Sequence, residues 1–208
     1  MDEKDHKSYR IAETSSLYGS TSRKNEKYTI ADYNRISEEK RYELIRGSLY
    51  EMKAPSFVHQ HISSVLYNAL SSFIKEQKGS CIALSAPVDV RLFRDDYTMV
   101  QPDILILCDR SKIRRWGIDG APDLVMEIVS PATARKDYTV KVDLYMSAGV
   151  KELWLIDPIN SRLLIYYAEE DRFPYIGPLS GKKEIGLYEN ALLIDLDEIA
   201  ALMQEYPQ

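Results

Sequence analysis

Alternating and continuous apolar runs predict an ordered succession of strands and helices in this chain. Residues 41–52 alternate apolar and polar side chains around Gly47, which predicts a β-hairpin. Residues 59–77 carry apolar side chains at helical spacing, which predicts a helix closed by Gly79. Short apolar runs predict strands at 81–84, 88–92, 104–107, 124–129, 152–156, 162–167, 184–188 and 191–194. The remaining periodic segments predict helices at 31–36, 137–147 and 196–204.

This order of elements predicts an α/β (α+β) fold with a mixed central sheet flanked by helices. Residues 1–27 are polar and rich in Ser, Lys and Glu, so we predict a flexible N-terminal segment there. Residues 28–208 contain no internal repeat and no linker rich in Pro, Gly or Ser. We therefore expect a single domain over residues 28–208.

The composition of the chain bears on its binding partners and its cellular compartment and does not change the predicted fold. The 208 residues include 27 basic and 32 acidic side chains, so a net charge of −5 argues against a surface that attracts nucleic acid everywhere. An anionic substrate would need a local basic patch. No apolar run is long enough to cross a bilayer and no signal peptide is evident, so we expect a cytoplasmic protein without a membrane partner.

The two cysteines do not suggest a disulfide framework or a zinc site. Cys81 and Cys108 lie far apart in apolar contexts, without metal-ligand spacing. We therefore expect two reduced thiols in the core.

Two carboxylates stand where an ionised group is costly. Asp103 begins the apolar run 104–107, and Glu127 lies inside the apolar run 124–129. A charge in such a setting needs a cation, a metal or several hydrogen bonds. Two such acids on strands that can lie side by side indicate a divalent metal held by oxygen ligands.

The helix that follows the Glu127 strand supplies a cation for the same place. Asp137, Lys141 and Tyr145 are four residues apart and share one face of that helix. Asp103 and Glu127, with the carbonyl of Ile128, would suit Mg²⁺ or Mn²⁺. Lys141 would then orient the attacking water or stabilise developing negative charge.

Pro102-Asp103 followed by Glu127 on the next strand resembles the PD-(D/E)xK nuclease signature. More closely, the chain resembles the Uma2 family of restriction-endonuclease-like proteins over roughly residues 28–170. The matching segments are Tyr42–Gly47, His59–Ile62, Gln101–Ile104, Glu127–Pro131, the positions Asp137, Lys141 and Tyr145, and Gly149–Pro158.

The resemblance implies a restriction-endonuclease-like fold and a metal-dependent nuclease site. Asp103 and Glu127 would be the metal ligands, and Glu43 an additional catalytic acid near them. The signature places its lysine two residues after the second acid, where this chain has Val129. Lys141 would take that role from the helix.

Each of these residues also has an ordinary structural interpretation. Asp103 can be satisfied by backbone amides, Glu127 by a buried cation, and Lys141 by Asp137 on a solvated helix face. Glu43, taken alone, fits a structural or supporting place. His59 and Tyr145 are candidate substrate-binding residues, but a histidine at a helix start and a half-buried tyrosine are common without such a role.

The best local basic patch is Arg110–Trp116, where Arg114 and Arg115 can contact phosphate and Trp116 can stack on a base. A solvated loop of like charges is the alternative. Together these features favour a Mg²⁺-dependent DNA endonuclease, expected by analogy to be a homodimer because a twofold protein suits a duplex. The alternative is a non-catalytic module that binds nucleic acid or a partner on a nuclease scaffold, and a third option is a hydrolase of another phosphate ester.

Overall fold

The computed structural model describes residues 20–21, 27–36, 40–169, 171–189 and 191–206. These residues form two compact units. The first comprises the described residues up to Met52 together with Asp96–Thr98, and the second comprises the described residues from Lys53 to Asp95 and from Met99 onward. Most of the segment predicted to be flexible lies outside the described residues, and the single domain over 28–208 stays a prediction.

The first unit is a small antiparallel sheet with one helix. Its strands are β1 (Ser20–Thr21), β2 (Tyr42–Ile45) and β3 (Ser48–Glu51), in the order β1-β3-β2, and its helix is α1 (Ile30–Ile36). The predicted hairpin is confirmed as β2–β3, which turns at Arg46 and Gly47, both at positive φ. Glycine suits such a turn because it has no Cβ to clash there.

The second unit is built on a six-stranded sheet in the order β12-β11-β10-β9-β6-β4. Its strands are β4 (Ile82–Ser85), β6 (Ile104–Leu107), β9 (Leu124–Ile128), β10 (Glu152–Asp157), β11 (Arg162–Tyr167) and β12 (Tyr175–Pro178). β9 and β10 are parallel, and the other neighbours are antiparallel. The predicted mixed sheet is therefore confirmed.

One face of this sheet is covered by the long helix α2 (Phe57–Glu76). Ile62, Leu66 and Leu70 of α2 are fully buried and belong to one core cluster with Ile104 and Met126. α2 begins two residues before the predicted start, because the Ser56 side chain accepts a hydrogen bond from the His59 amide at 3.2 Å and caps the helix. The same cluster includes β13 (Lys182–Ile185), β14 (Leu192–Asp195) and α5 (Leu196–Glu205).

The helical connection from β9 to β10 packs against the opposite face of the sheet. It consists of α3 (Ala134–Lys136), a π-helical turn (Asp137–Lys141) and α4 (Val142–Ala148). The prediction of one regular helix over 137–147 is corrected by this turn and by an earlier start. The predicted end is confirmed, since Gly149 takes the left-handed conformation with φ +89°.

Three predicted strands or loops differ in the structure. The strand at 88–92 shortens to β5 (Val90–Arg91), because only these two residues pair with β8 (Gly117–Asp119). The basic loop contains β7 (Ile113–Arg114), which forms an unpredicted hairpin with β8. The strand at 184–188 ends at Ile185, because the amides of Gly186 and Leu187 bind the Glu152 carboxylate at 3.2 and 2.8 Å in a 3₁₀ turn.

The expectation of two reduced cysteines is wrong. Cys81 and Cys108 form a disulfide with a Cα–Cα separation of 3.9 Å. Cys81 directly precedes β4 and Cys108 directly follows β6, and the pairing of Ile82 with Leu107 places the two cysteines opposite each other. Their sequence separation of 27 positions conceals this contact in the sequence.

None of the described helices combines the length and the apolar character that a membrane span requires.

Candidate active site

Glu127 is an acid on the helical-connection face of the sheet. Its neighbours Met126 and Ile128 belong to the α2 core, and side chains alternate along a strand, so Glu127 faces α4. Its exposed fraction is 3%, which makes an unpaired charge there costly by several kcal/mol.

Two donors from the helical connection satisfy that charge. Lys141 Nζ lies 2.8 Å from Glu127 Oε1, and the Tyr145 hydroxyl donates to the same oxygen at 2.5 Å. Lys141 also lies 3.9 Å from Asp137 Oδ1. All four side chains are buried, so the cluster is an ionic network inside the protein and not a solvated helix face.

A π-helical turn ends at the first of the two donors, Lys141. It spans Asp137–Lys141, directly before the first residue of α4. A π turn widens the helix by one residue, and such turns are frequent at functional sites. The structure therefore places Lys141 against one of the two candidate acids, Glu127, and the catalytic role of Lys141 stays a prediction.

Asp103 directly precedes β6, which is the neighbour of the Glu127 strand β9 in the same sheet. The pairing of Ile104 with Met126 places Asp103 opposite Glu127 when the register is extended by one residue. Asp103 Oδ2 accepts a hydrogen bond from the Ile128 amide at 2.8 Å. The structural interpretation of Asp103 predicted such a hydrogen bond from a backbone amide. The sequence did not indicate that Ile128 would be the donor.

His59 pairs with Asp103 from the first turn of α2. His59 Nε2 lies 3.2 Å from Asp103 Oδ2, and His59 Nδ1 is buried without a hydrogen-bond partner in the described part of the chain. Burial lowers the pKa of His59, but the hydrogen bond and charge of Asp103 and the charge of Glu127 outweigh it, so the net pKa is raised. His59 is thereby placed beside the first candidate ligand.

The donor set is chemically suited to Mg²⁺ or Mn²⁺. It offers two carboxylates on adjacent strands, and Mg²⁺ is commonly held by one or two carboxylates with several waters. Among the described residues, no group of three or more His, Cys, Asp or Glu side chains is close enough to hold a metal. The set is therefore poorly suited to an all-protein cage of the structural zinc type.

Two predicted site residues lie elsewhere in the second unit. Arg114 ends β7 and lies 3.6 Å from Asp119, and Arg115 follows it in the turn of the hairpin. Beside them Trp116 is 44% exposed. Arg114 therefore pairs with Asp119, and no contact among the described residues joins Arg114 or Arg115 to Glu127.

Glu43 belongs to β2 of the first unit, where it is fully buried and paired in register with Tyr50. Its role as an accessory acid stays a prediction.

The hairpin also forms one wall of a cleft that the sequence did not reveal. The cleft has a volume of about 520 Å³, and its lining includes Ile82 and Leu84 of β4 and Gln101. These residues come from separate segments of the chain, so no local sequence signal announces the cleft.

Comparison with known proteins bears on both fold and family. The family model Uma2, described as "Putative restriction endonuclease", matches residues 30–186. A crystal structure described as "a putative nuclease belonging to DUF820 from Anabaena variabilis ATCC 29413" superposes with a TM-score of 0.69 at 20% identity, over 84% of this chain and 98% of that one. No curated protein matches the sequence. The structural match shows the fold alone.

Proposed function

Since the chain belongs to the Uma2 family, we propose that it is a metal-dependent endonuclease that hydrolyses phosphodiester bonds in DNA. The observation that carries this proposal is the buried network in which Lys141 and Tyr145 hold Glu127 opposite Asp103. Asp103 and Glu127 are the proposed ligands of Mg²⁺ or Mn²⁺, with the Ile128 carbonyl beside them.

Each side chain has a role that its contacts support. When bound, the cation would neutralise charge on the scissile phosphate and lower the pKa of bound water. Lys141 fixes the orientation of Glu127 through Oε1 and offers an ammonium for the negative charge that develops in the transition state. His59 orients Asp103 through Oδ2. A homodimer with one site per strand is part of this proposal, because a twofold assembly suits a duplex.

The test is cleavage of supercoiled plasmid DNA by the full chain with Mg²⁺ or Mn²⁺. We expect nicking that EDTA abolishes and that Asp103→Asn reduces by at least a hundredfold, since the amide keeps the size but loses the charge. Asp171→Asn is the matched control, because Asp171 is exposed and lies on the β11–β12 connection. Cleavage at an unchanged rate in Asp103→Asn, or in EDTA, would contradict the proposal.

The alternative is a binding module without catalysis on the same scaffold. It is favoured by the fact that the Lys141 ammonium and the Tyr145 hydroxyl already pair with Glu127 Oε1, the oxygen that would otherwise be offered to a metal ion. DNA binding by the wild-type chain without cleavage in Mg²⁺ or Mn²⁺ would select this alternative.

A further inference from the structure

The cleft beside the β7–β8 hairpin combines an apolar floor with an aromatic and basic rim. Ile82, Leu84 and Ile118 contribute to its floor, while Arg114, Arg115 and Trp116 stand at the hairpin. Its volume of about 520 Å³ is within the range of small-ligand sites. All of these residues belong to the second unit.

The cleft opens on the sheet face that carries Glu127. Ala83 packs on the α2 core, and side chains alternate along β4, so Ile82 and Leu84 face the opposite side with Glu127. The cleft is also close to Asp103 in the sequence, because its lining residue Gln101 is two positions before Asp103. Another lining residue, Pro87, follows Ala86, whose amide donates to the Asp103 carbonyl at 2.9 Å.

The cleft carries a net positive charge although the whole chain is acidic. Its lining includes the basic residues Arg114 and Arg115 and one acid, Asp89, which accepts a hydrogen bond from Gln101 at 2.8 Å, whereas the chain carries a net charge of −5. Arg115 is exposed, and among the described residues it makes no ion pair. This local charge is complementary to a phosphate strand.

Trp116 offers a flat apolar surface at the same rim. It is 44% exposed, and the guanidinium of Arg91 lies over its ring at 5.7 Å from the centroid. An exposed indole beside arginines is suited to stacking a nucleobase.

We infer that this cleft holds one unpaired nucleotide, with its base against Trp116 and its phosphates beside Arg114 and Arg115. The inference rests on the proposed nuclease function and narrows its substrate to nucleic acid with unpaired bases near the cut. A continuous duplex presents phosphates and groove edges, whereas only an unpaired base presents the ring face that an aromatic side chain stacks on.

The test measures binding without cleavage. A fluorescein-labelled dT oligonucleotide and a duplex of equal length are titrated with the full chain in EDTA and followed by anisotropy. We expect tighter binding of the single strand. Trp116→Ala should weaken it roughly 5- to 150-fold, as loss of one stacked base does. Trp116→Phe should retain part of the affinity, because a ring remains.

Two further readouts separate stacking from a general structural effect. Trp154, the second tryptophan, is fully buried, so quenching of intrinsic fluorescence by the oligonucleotide should report Trp116. Arg115→Gln should reduce the slope of log K against log salt by about 0.7, the value for one phosphate contact to a single strand. Phe173→Ala is the matched control, because Phe173 is an aromatic residue with 90% exposure outside the cleft.

Equal or tighter binding of the duplex, no binding of the single strand, or an unchanged affinity in Trp116→Ala would overturn the inference. Failure of the proposed function is distinguishable, because Asp103→Asn should lose cleavage while it keeps Trp116-dependent binding in EDTA. A cleavage-competent protein with no Trp116 dependence would reject the cleft and leave the nuclease proposal intact.

Discussion

Replacement of Lys141 by Met should destabilise the protein far more than the same change at a surface ion pair. Lys141→Met keeps an unbranched apolar stem but removes an ammonium that lies 2.8 Å from Glu127 Oε1. At that distance and an effective dielectric constant of about 20, the lost attraction is about 6 kcal/mol. Both side chains are only 4% exposed, so water does little to replace it.

Protonation of Glu127 limits the cost. Without Lys141, the buried Glu127 carboxylate can take up a proton. Protonation of a glutamate at pH 7 costs about 3–4 kcal/mol of free energy relative to its ionised form in the unfolded chain. We therefore expect a loss of about 3–4 kcal/mol in the free energy of unfolding, in agreement with the general effect of breaking buried pairs. The folded variant then binds a proton that the unfolded chain lacks, so the loss should shrink by about 1.4 kcal/mol per pH unit as pH falls from 7 towards 5.

The assay is urea unfolding followed by circular dichroism at several pH values. Lys151→Met is the matched control, because Lys151 Nζ also lies 2.8 Å from a carboxylate, that of Asp123, but its side chain is 64% exposed. An exposed pair contributes about 0–1 kcal/mol. A loss in Lys141→Met no greater than that in Lys151→Met, or one independent of pH, would refute the reasoning.

Three further changes have defined outcomes. Reduction of the Cys81–Cys108 disulfide, or its replacement by two serines, should lower the free energy of unfolding by roughly 3–4 kcal/mol for a sequence separation of 27 residues, measured by urea unfolding with and without reductant. Asp157→Asn should destabilise by about 1.5–3 kcal/mol at pH 7, because burial alone raises the pKa of Asp157 but hydrogen bonds from Tyr138 and Asn160 lower it overall. A lowered folded-state pKa adds stability above the unfolded pKa and loses it as pH falls, so thermal unfolding at pH 7 and in acid should show the two proteins converging. Tyr145→Phe should cost about 1.5–3 kcal/mol through the lost hydrogen bond to the Glu127 carboxylate, and an unchanged unfolding midpoint would argue against that bond.

Elements with strong local signals were predictable from the sequence. The runs at Ile104–Leu107 and Leu124–Ile128 are apolar at almost every position, since both faces of these central strands are buried. Their order also made Asp103 and Glu127 plausible neighbours. The spacing of Lys141 and Tyr145 indicated a shared helix face, and both side chains reach Glu127.

Features that depend on distant pairing were not predictable in this way. The disulfide requires knowledge that β4 pairs with β6 in one particular register, which neither cysteine's surroundings indicate. The hairpin of β7 and β8 is short, charged and half-exposed, so it has no apolar pattern. The π-helical turn has no separate sequence signal, because its residues keep the spacing of a regular helix.

The measurement that tests the central claim most directly is a calorimetric titration with Mn²⁺ of the wild-type chain, Asp103→Asn and the control Asp171→Asn. The account predicts saturable binding to the wild type and to Asp171→Asn, and none to Asp103→Asn, with the three proteins equally folded. Binding of equal affinity in Asp103→Asn would contradict the assignment of Asp103 as a metal ligand and with it the proposed site.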